Sequence, residues 1–208
     1  MEFRLLYKGI LPAQGSSGGS RVKEKHAIRR QLHSQLRELW HGDQLLSRYV
    51  GETQLTKRIY IDANAGDSER ATGLDFKAKP FTRFGYRFIP LIGRDFGIAC
   101  SLDVLFLRRD NPGNLIRSGG DIDNRIKVLF DALTVPKHES HVKGMSPQHG
   151  EDPFFCLLED DSRVTSVKVT TDRLWMPLET NEGVNDVQLV LNVKTTIVDI
   201  NRGFAHFA

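Results

Sequence analysis

Two acidic groups in this sequence stand at spacings that suit a divalent cation. The first lies in Gly119-Gly120-Asp121-Ile122-Asp123-Asn124-Arg125-Ile126-Lys127, which runs on through Val128 to Leu133. Apolar residues at 122, 126, 129, 130 and 133 form one helical stripe. At about 100° per residue, Asp123, Asn124, Lys127 and Asp131 fall on the opposite side. Two glycines ahead of the aspartates put the carboxylates at the helix N-terminus, where the backbone dipole favours negative charge. A capped surface helix with an Asp123–Lys127 pair, worth roughly 0.2–0.5 kcal/mol, accounts for one Asp and one Lys. It leaves Asp121 over, since one capping carboxylate suffices. Carboxylates this close repel unless a cation lies between them, and Mg²⁺ is commonly held by one or two carboxylates, with positions left for water and a substrate phosphate. The second group, Glu159-Asp160-Asp161, immediately precedes an expected strand over 163–171. Strand alternation would put Glu159 and Asp161 on one side and Asp160 on the other. Such a triplet alone is a solvated turn; beside the helix-start carboxylates it is a candidate third ligand.

The elements that must position these groups read as follows. Residues 3–10 form a strand that Pro12 stops, and Gly15 to Ser20 make a Gly/Ser loop. A helix over 22–41 places Ile28, Leu32, Leu36, Leu39 and Trp40 on one face. Its other face carries Arg21, Lys23, Lys25, Arg29, Arg30 and Arg37 with few acids nearby, and is either a solvated face or one that contacts phosphate. His26 and His33 on the same helix are expected at the surface or on phosphate. A strand over 56–62 leads into a polar loop through Lys79. The aromatics Phe81, Phe84, Tyr86 and Phe88 suit a core more than base stacking. Alternation marks strands over 98–108 and 187–197, with a loop rich in Arg, Asn, Pro and Gly over 109–120. The economical architecture is one α+β domain over 1–208, a mixed β-sheet with helices packed on it.

Composition narrows the function classes. The 208 residues are 39% hydrophobic and 26% charged, with 12 Phe to fill a core, so a disordered chain is excluded. No apolar run approaches the roughly 20 residues that cross a bilayer, and charged Glu2, Arg4 and Lys8 near the start do not read as a signal peptide. No membrane role and a cytoplasmic setting are the expectation. Two cysteines, Cys100 and Cys156, provide neither a disulfide framework nor a cysteine zinc site. Lys and Arg number 29 against 26 Asp and Glu, and the resulting +3 permits nucleic-acid binding without arguing for it.

The ordered set Asp121-Ile122-Asp123-Asn124-Arg125-Ile126-Lys127, Asp131-Ala132-Leu133 and Asp160-Asp161-Ser162-Arg163-Val164 resembles the motifs of the RusA family of Holliday junction resolvases, over roughly residues 98–172. The resemblance implies a RusA-like fold and a two-fold homodimer acting on branched DNA, above all four-way junctions. It implies Asp121, Asp123 and Asp161 as catalytic acids that bind metal, Asp160 as a secondary metal ligand, and Lys127 as the essential basic residue. The cofactor would be Mg²⁺, with Mn²⁺ as substitute. Lys25, Arg29, Arg30, Arg37, Arg108, Arg109 and Arg117 are the candidates for carrying DNA. Compact family members pass from Asp-Ala-Leu to the Asp pair through a short turn, so 134–158 reads as an insertion. Pro136, Gly144, Pro147 and Gly150 deny it a firm helix, which disfavours zinc at His138, His141 and His149, while Lys137 and Lys143 point to a DNA-contacting or disordered loop. The same metal chemistry would serve a nuclease for flaps or other branched DNA, and a non-catalytic nucleic-acid-binding protein could keep the same fold.

Overall fold

The computed structural model describes residues 1–13, 21–51, 72–109, 122–175 and 186–198. The strand expected over 56–62, the loop after Arg109, Arg117 and Asp121 lie outside the described residues. Strand β1 (Glu2–Ile10) is followed by helix α1 (Val22–Gly42), the short helices α2 (Ser47–Val50) and α3 (Gly73–Ala78), and strands β2 (Thr82–Arg83), β3 (Tyr86–Ile92) and β4 (Ile98–Arg108). Then come helix α4 (Ile122–Leu133) and strands β5 (Phe154–Leu158), β6 (Val164–Arg173) and β7 (Asp186–Ile197). A four-stranded sheet has the order β1-β7-β4-β6, antiparallel except for the parallel β4–β6 pair. A three-stranded sheet has the order β2-β3-β5, with β3 and β5 parallel. Both sheets are mixed, and with the helices they make one α+β domain. No helix among the described residues is long and apolar enough to cross a membrane.

The large sheet follows from alternation. Cys100, Leu102, Val104 and Phe106 of β4 lie on one face with Val187, Leu189, Leu191 and Val193 of β7 and Leu5 and Tyr7 of β1, all buried. Ile28, Leu32, Leu36 and Trp40, one turn apart on α1, bury into the same core. α1 also covers an open edge. The Gln35 side chain accepts from the Leu6 N–H at 2.8 Å and donates to the Leu6 carbonyl at 2.7 Å; Gln31 does the same for Lys8 at 2.7 and 3.2 Å. Four residues of helix rise about 6 Å and two of strand about 7 Å. The i,i+4 glutamines therefore match the i,i+2 strand groups and occupy an edge that could otherwise pair with another chain.

Two expectations are corrected here. The segment 134–158 is not a disordered loop. It ends in β5, where Phe154, Phe155, Cys156, Leu157 and Leu158 are all buried. A strand beside a parallel partner and buried on both faces shows a continuous apolar run and carries no period-two pattern. Its partner β3 is buried in the same way, and Tyr86 and Phe88 join Phe154, Cys156, Val135 and Val142 in a second apolar cluster. The aromatic stretch is thus core. β2 and β3 join through a two-residue turn in which Phe84 (φ 56°) and Gly85 (φ 78°) both take left-handed backbone, the type I′ geometry that suits the twist of a hairpin.

The second correction concerns His26 and His33, which are 1% and 4% exposed. Each ring keeps one nitrogen as acceptor. His33 Nδ1 accepts from the Phe155 N–H at 2.9 Å, so its Nε2 donates to the Gly150 carbonyl at 3.0 Å. His26 Nδ1 lies 3.4 Å from Arg29 Nη1 and its Nε2 lies 3.2 Å from the Tyr86 hydroxyl. A neutral imidazole meets both demands, and a protonated one does not. Burial, reinforced by Arg29 and Arg30, pushes the His26 pKa down to about 4, and burial also lowers that of His33.

An unfolded histidine takes up a proton near pH 6.5, whereas the folded His26 resists until about pH 4. The contribution is complete above pH 6.5 and is lost as the pH falls through that window. At 1.36 kcal/mol per unit it amounts to about 3 kcal/mol for His26. Urea unfolding from pH 7 to pH 4 is expected to show this loss, and His26→Phe to show a shallower acid limb by about that amount. An identical pH slope in the variant would refute a neutral, buried His26.

Candidate active site

α4 is held at both ends by buried arginines. Near its start the Arg125 guanidinium donates to the Leu11 carbonyl just beyond β1. Near its end Arg29 Nη2 of α1 donates to the Asp131 carbonyl at 2.8 Å, where a helix presents unpaired carbonyls and attracts positive charge. Ile122, Ile126, Val128, Leu129, Ala132 and Leu133 pack inward. Val128 and Ala132 widen the expected stripe, and buried Arg125 sits within it. The opposite face keeps Asp123 and Lys127 in solvent: Asp123 Oδ2 and Lys127 Nζ lie 3.4 Å apart, with both side chains 61% exposed.

The chain leaving α4 returns beside the end of β5. Thr134 bridges to Leu158, and the Val135 N–H donates to the Leu158 carbonyl at 3.0 Å. This brings the end of α4 next to the acidic triplet that follows β5. The triplet does not follow strand alternation. Asp161 opens a 3₁₀ turn over Asp161–Arg163, and the Asp160 carboxylate caps it by accepting from the Ser162 N–H at 2.9 Å. Turn geometry therefore replaces the period-two sorting. Asp160 and Asp161 both face Lys137, whose Nζ contacts the Asp160 carboxylate and lies 3.9 Å from Asp161 Oδ1. That ammonium, helped by the Ser162 N–H, holds the Asp160 carboxyl well below the usual carboxylate range, and Asp160 in turn raises the Lys137 pKa. Glu159 is committed elsewhere: its Oε2 accepts from the Arg94 N–H at 2.7 Å.

A cleft of about 70 Å³ lies between these elements, lined by Phe130, Asp131, Thr134, Val135, Lys137, His141 and Asp161. Asp131 and His141 also line a neighbouring cleft of about 100 Å³ that reaches Arg21, Lys25 and Arg29 of α1. The member of the α4 polar face that meets Asp161 is thus Asp131. Asp123 lies eight residues earlier, about 12 Å along the helix axis. The ion pairs of the two acidic groups are separate, Asp123 with Lys127 and Asp161 with Lys137. Among the described residues no three His, Cys, Asp or Glu side chains are grouped closely enough to hold a metal ion. Asp131 was legible as part of the polar face but not as a lining residue, and Lys137, read as a residue of a DNA-contacting or disordered loop, instead faces Asp160 and Asp161.

The basic residues also sort differently from expectation. Arg29 is 2% exposed, and its charge lies in the protein rather than on a phosphate-facing surface. Arg30 Nε pairs with Glu151 at 2.7 Å and Lys25 Nζ with Asp131 at 2.6 Å. The acids that neutralise the helix come from more than a hundred residues away, so they could not be seen beside it in the sequence. Arg37 remains partly exposed, 3.4 Å from both the Gly150 carbonyl and Glu38. Arg108 is buried at the end of β4 and Arg109 half-buried beside it. No protein-family model, curated protein or solved structure matches the chain.

The acidic turn is seated against Gly93. A Cβ at that position would lie 2.5 Å from Glu159 Oε2 and 3.2 Å from Glu159 Cβ. Gly93→Ala is expected to cost about 1–3 kcal/mol by overpacking, read by chemical denaturation. Glu159→Ala in the same background should recover part of the loss; strictly additive effects would rule out the contact.

Proposed function

We propose that this protein is a Mg²⁺-dependent, structure-specific DNA endonuclease of the RusA type that resolves four-way junctions by paired phosphodiester hydrolysis. One observation supports the reading: Asp131 at the end of α4 and Asp161 of the turn after β5 line one cleft, and both carboxylates are reachable from solvent. The motif resemblance supplies the roles. The resemblance would assign Mg²⁺ to Asp121, Asp123 and Asp161, with Asp160; carboxylate oxygens are the hard donors that suit the ion, but Asp123 and Asp161 stand in separate ion pairs and the helix acid beside Asp161 is Asp131. A bound Mg²⁺ supplies an activated water and positive charge for the leaving oxygen.

The chain's own residues then have distinct tasks. Lys127, one turn after Asp123, offers a mobile ammonium to neutralise charge on the phosphate oxygens and needs no deprotonation to do so. Asn124 orients a carboxylate or water. Arg37, with a side chain 40% exposed, would contact the DNA backbone, and Lys25, 21% exposed and paired with Asp131, would do so on leaving that partner. Two incisions across a junction require two such sites, which a two-fold homodimer provides.

Asp123→Asn, Asp161→Asn and Lys127→Ala are each expected to lower cleavage of a labelled four-way junction in Mg²⁺ by at least about a hundredfold, the scale of losing a positioned charge stabiliser. Melting temperatures should stay near that of the unmodified protein, because all three side chains are more than half exposed. Full activity in all three variants would end the proposal. A panel of junction, flap, duplex and single-stranded substrates distinguishes a resolvase from a flap nuclease, and binding without cleavage of any of them indicates a non-catalytic DNA-binding protein.

A further inference from the structure

We infer that the outer edge of β6 is a self-complementary surface that pairs antiparallel with β6 of a second copy of this chain, joining two sheets across a two-fold axis at Thr170. The inference gives a surface to the dimer invoked above but rests on the sheet alone, not on nuclease chemistry. The four-stranded sheet has two edges, β1 and β6. Gln31 and Gln35 of α1 occupy the β1 edge. Among the described residues no strand lies against the outer edge of β6, and none of its ten residues is buried. Val164 to Arg173 contains no proline, and its register against β4 is regular from Ser166 onward. Such an edge is a template for another strand. Val167, paired with Leu102 on the core side of the sheet, is an apolar side chain left 44% exposed there.

Backbone and charge agree on one register. The Leu174 N–H donates to the Arg108 carbonyl, so alternation turns the even-numbered residues of β6 toward β4. The N–H and carbonyl groups of Val167, Val169 and Thr171 then point to the open edge. A two-fold axis at Thr170 sets Val169 opposite the partner's Thr171, as a hydrogen-bonded pair. It sets Lys168 opposite the partner's Asp172, and Asp172 opposite the partner's Lys168. These are non-hydrogen-bonded pairs, with Cα atoms about 4.5 Å apart and side chains at their closest. Opposite charges so placed stabilise a pair of strands, whereas like charges destabilise it. Moving the axis to Lys168 or Asp172 sets like charges against each other, and moving it to Val169 or Thr171 sets Lys168 against Thr170 or Leu174. Lys168 also has Asp103 of β4 at 3.2 Å within its own sheet; its side chain is 70% exposed, so the ammonium can serve both carboxylates.

Sedimentation equilibrium of the full chain, without DNA or metal, reads the association directly. The unmodified protein is expected to form a reversible dimer. Asp172→Lys and Lys168→Glu each turn two opposite-charge pairs into two like-charge pairs, and each should raise the dimer dissociation constant about tenfold or more. The double variant Lys168→Glu/Asp172→Lys restores opposite charges across the axis and should return to within about threefold of the unmodified value. Both side chains are exposed, so the variants keep the fold. A monomeric unmodified protein, or single variants that dimerise as it does, overturns the inference. Weakening in the single variants that the double variant does not relieve overturns it as well, because the register is what pairs the charges. All of these outcomes are independent of cleavage, which the Asp123 and Lys127 variants test separately.

Discussion

The buried guanidinium of Arg29 is the contact on which the rest of the arrangement depends. Its side chain leaves α1, crosses the core and donates to the carbonyl of Asp131, so the end of α4 is fixed against α1. Burial lowers its pKa, yet a guanidinium stays charged; Nη2 meets the Asp131 carbonyl and Nη1 faces His26 Nδ1 at 3.4 Å. The same helix fixes β5 through His33 and the 148–151 segment through the Gly150 carbonyl and the Arg30–Glu151 pair. Three segments distant in sequence are therefore referenced to one rigid element. The cleft between α4 and the acidic turn inherits its shape from that common reference.

Polar contacts of this kind specify position more sharply than apolar packing does. Leu32 or Leu36 would bury against several arrangements of neighbours at similar cost, whereas the acceptor nitrogen of His33 must meet one N–H and its donor one carbonyl. Orphaning either would cost roughly 1–3 kcal/mol. α1 thus carries two functions along its length: a leucine stripe that supplies burial, and a histidine–arginine flank that sets register.

That double role explains what could be read in the sequence and what could not. β1, β4 and β7 announce themselves because each buries one face, and α1 and α4 because their apolar residues recur at helical spacing. The α+β class follows from those elements. β5 was hidden because burial on both faces erases alternation. The histidines were misplaced because a polar residue type says nothing of whether its partners come from afar. Within the site, Asp123 and Lys127 were legible since their pairing is local, one helical turn apart. Lys137 and Asp160 meet only through the bridge of Thr134 to Leu158, a long-range contact that no spacing encodes.

The charges around the cleft bear on how a phosphate could approach it. A cluster of unpaired aspartates would repel DNA until metal arrived. The structure instead gives each acid a cation: Lys25 for Asp131, Lys127 for Asp123, and Lys137 for Asp160 and Asp161. Four carboxylates against three ammonium groups leave the described part of the site close to neutral. Exposed pairs of this type are individually weak, about 0–1 kcal/mol, and so are readily exchanged when a polyanion offers the lysines phosphate oxygens instead. Under the proposed function, DNA binding and metal loading then assist each other. Phosphates would draw lysines away from the carboxylates, and the bared carboxylates would then have more negative charge to offer a divalent cation.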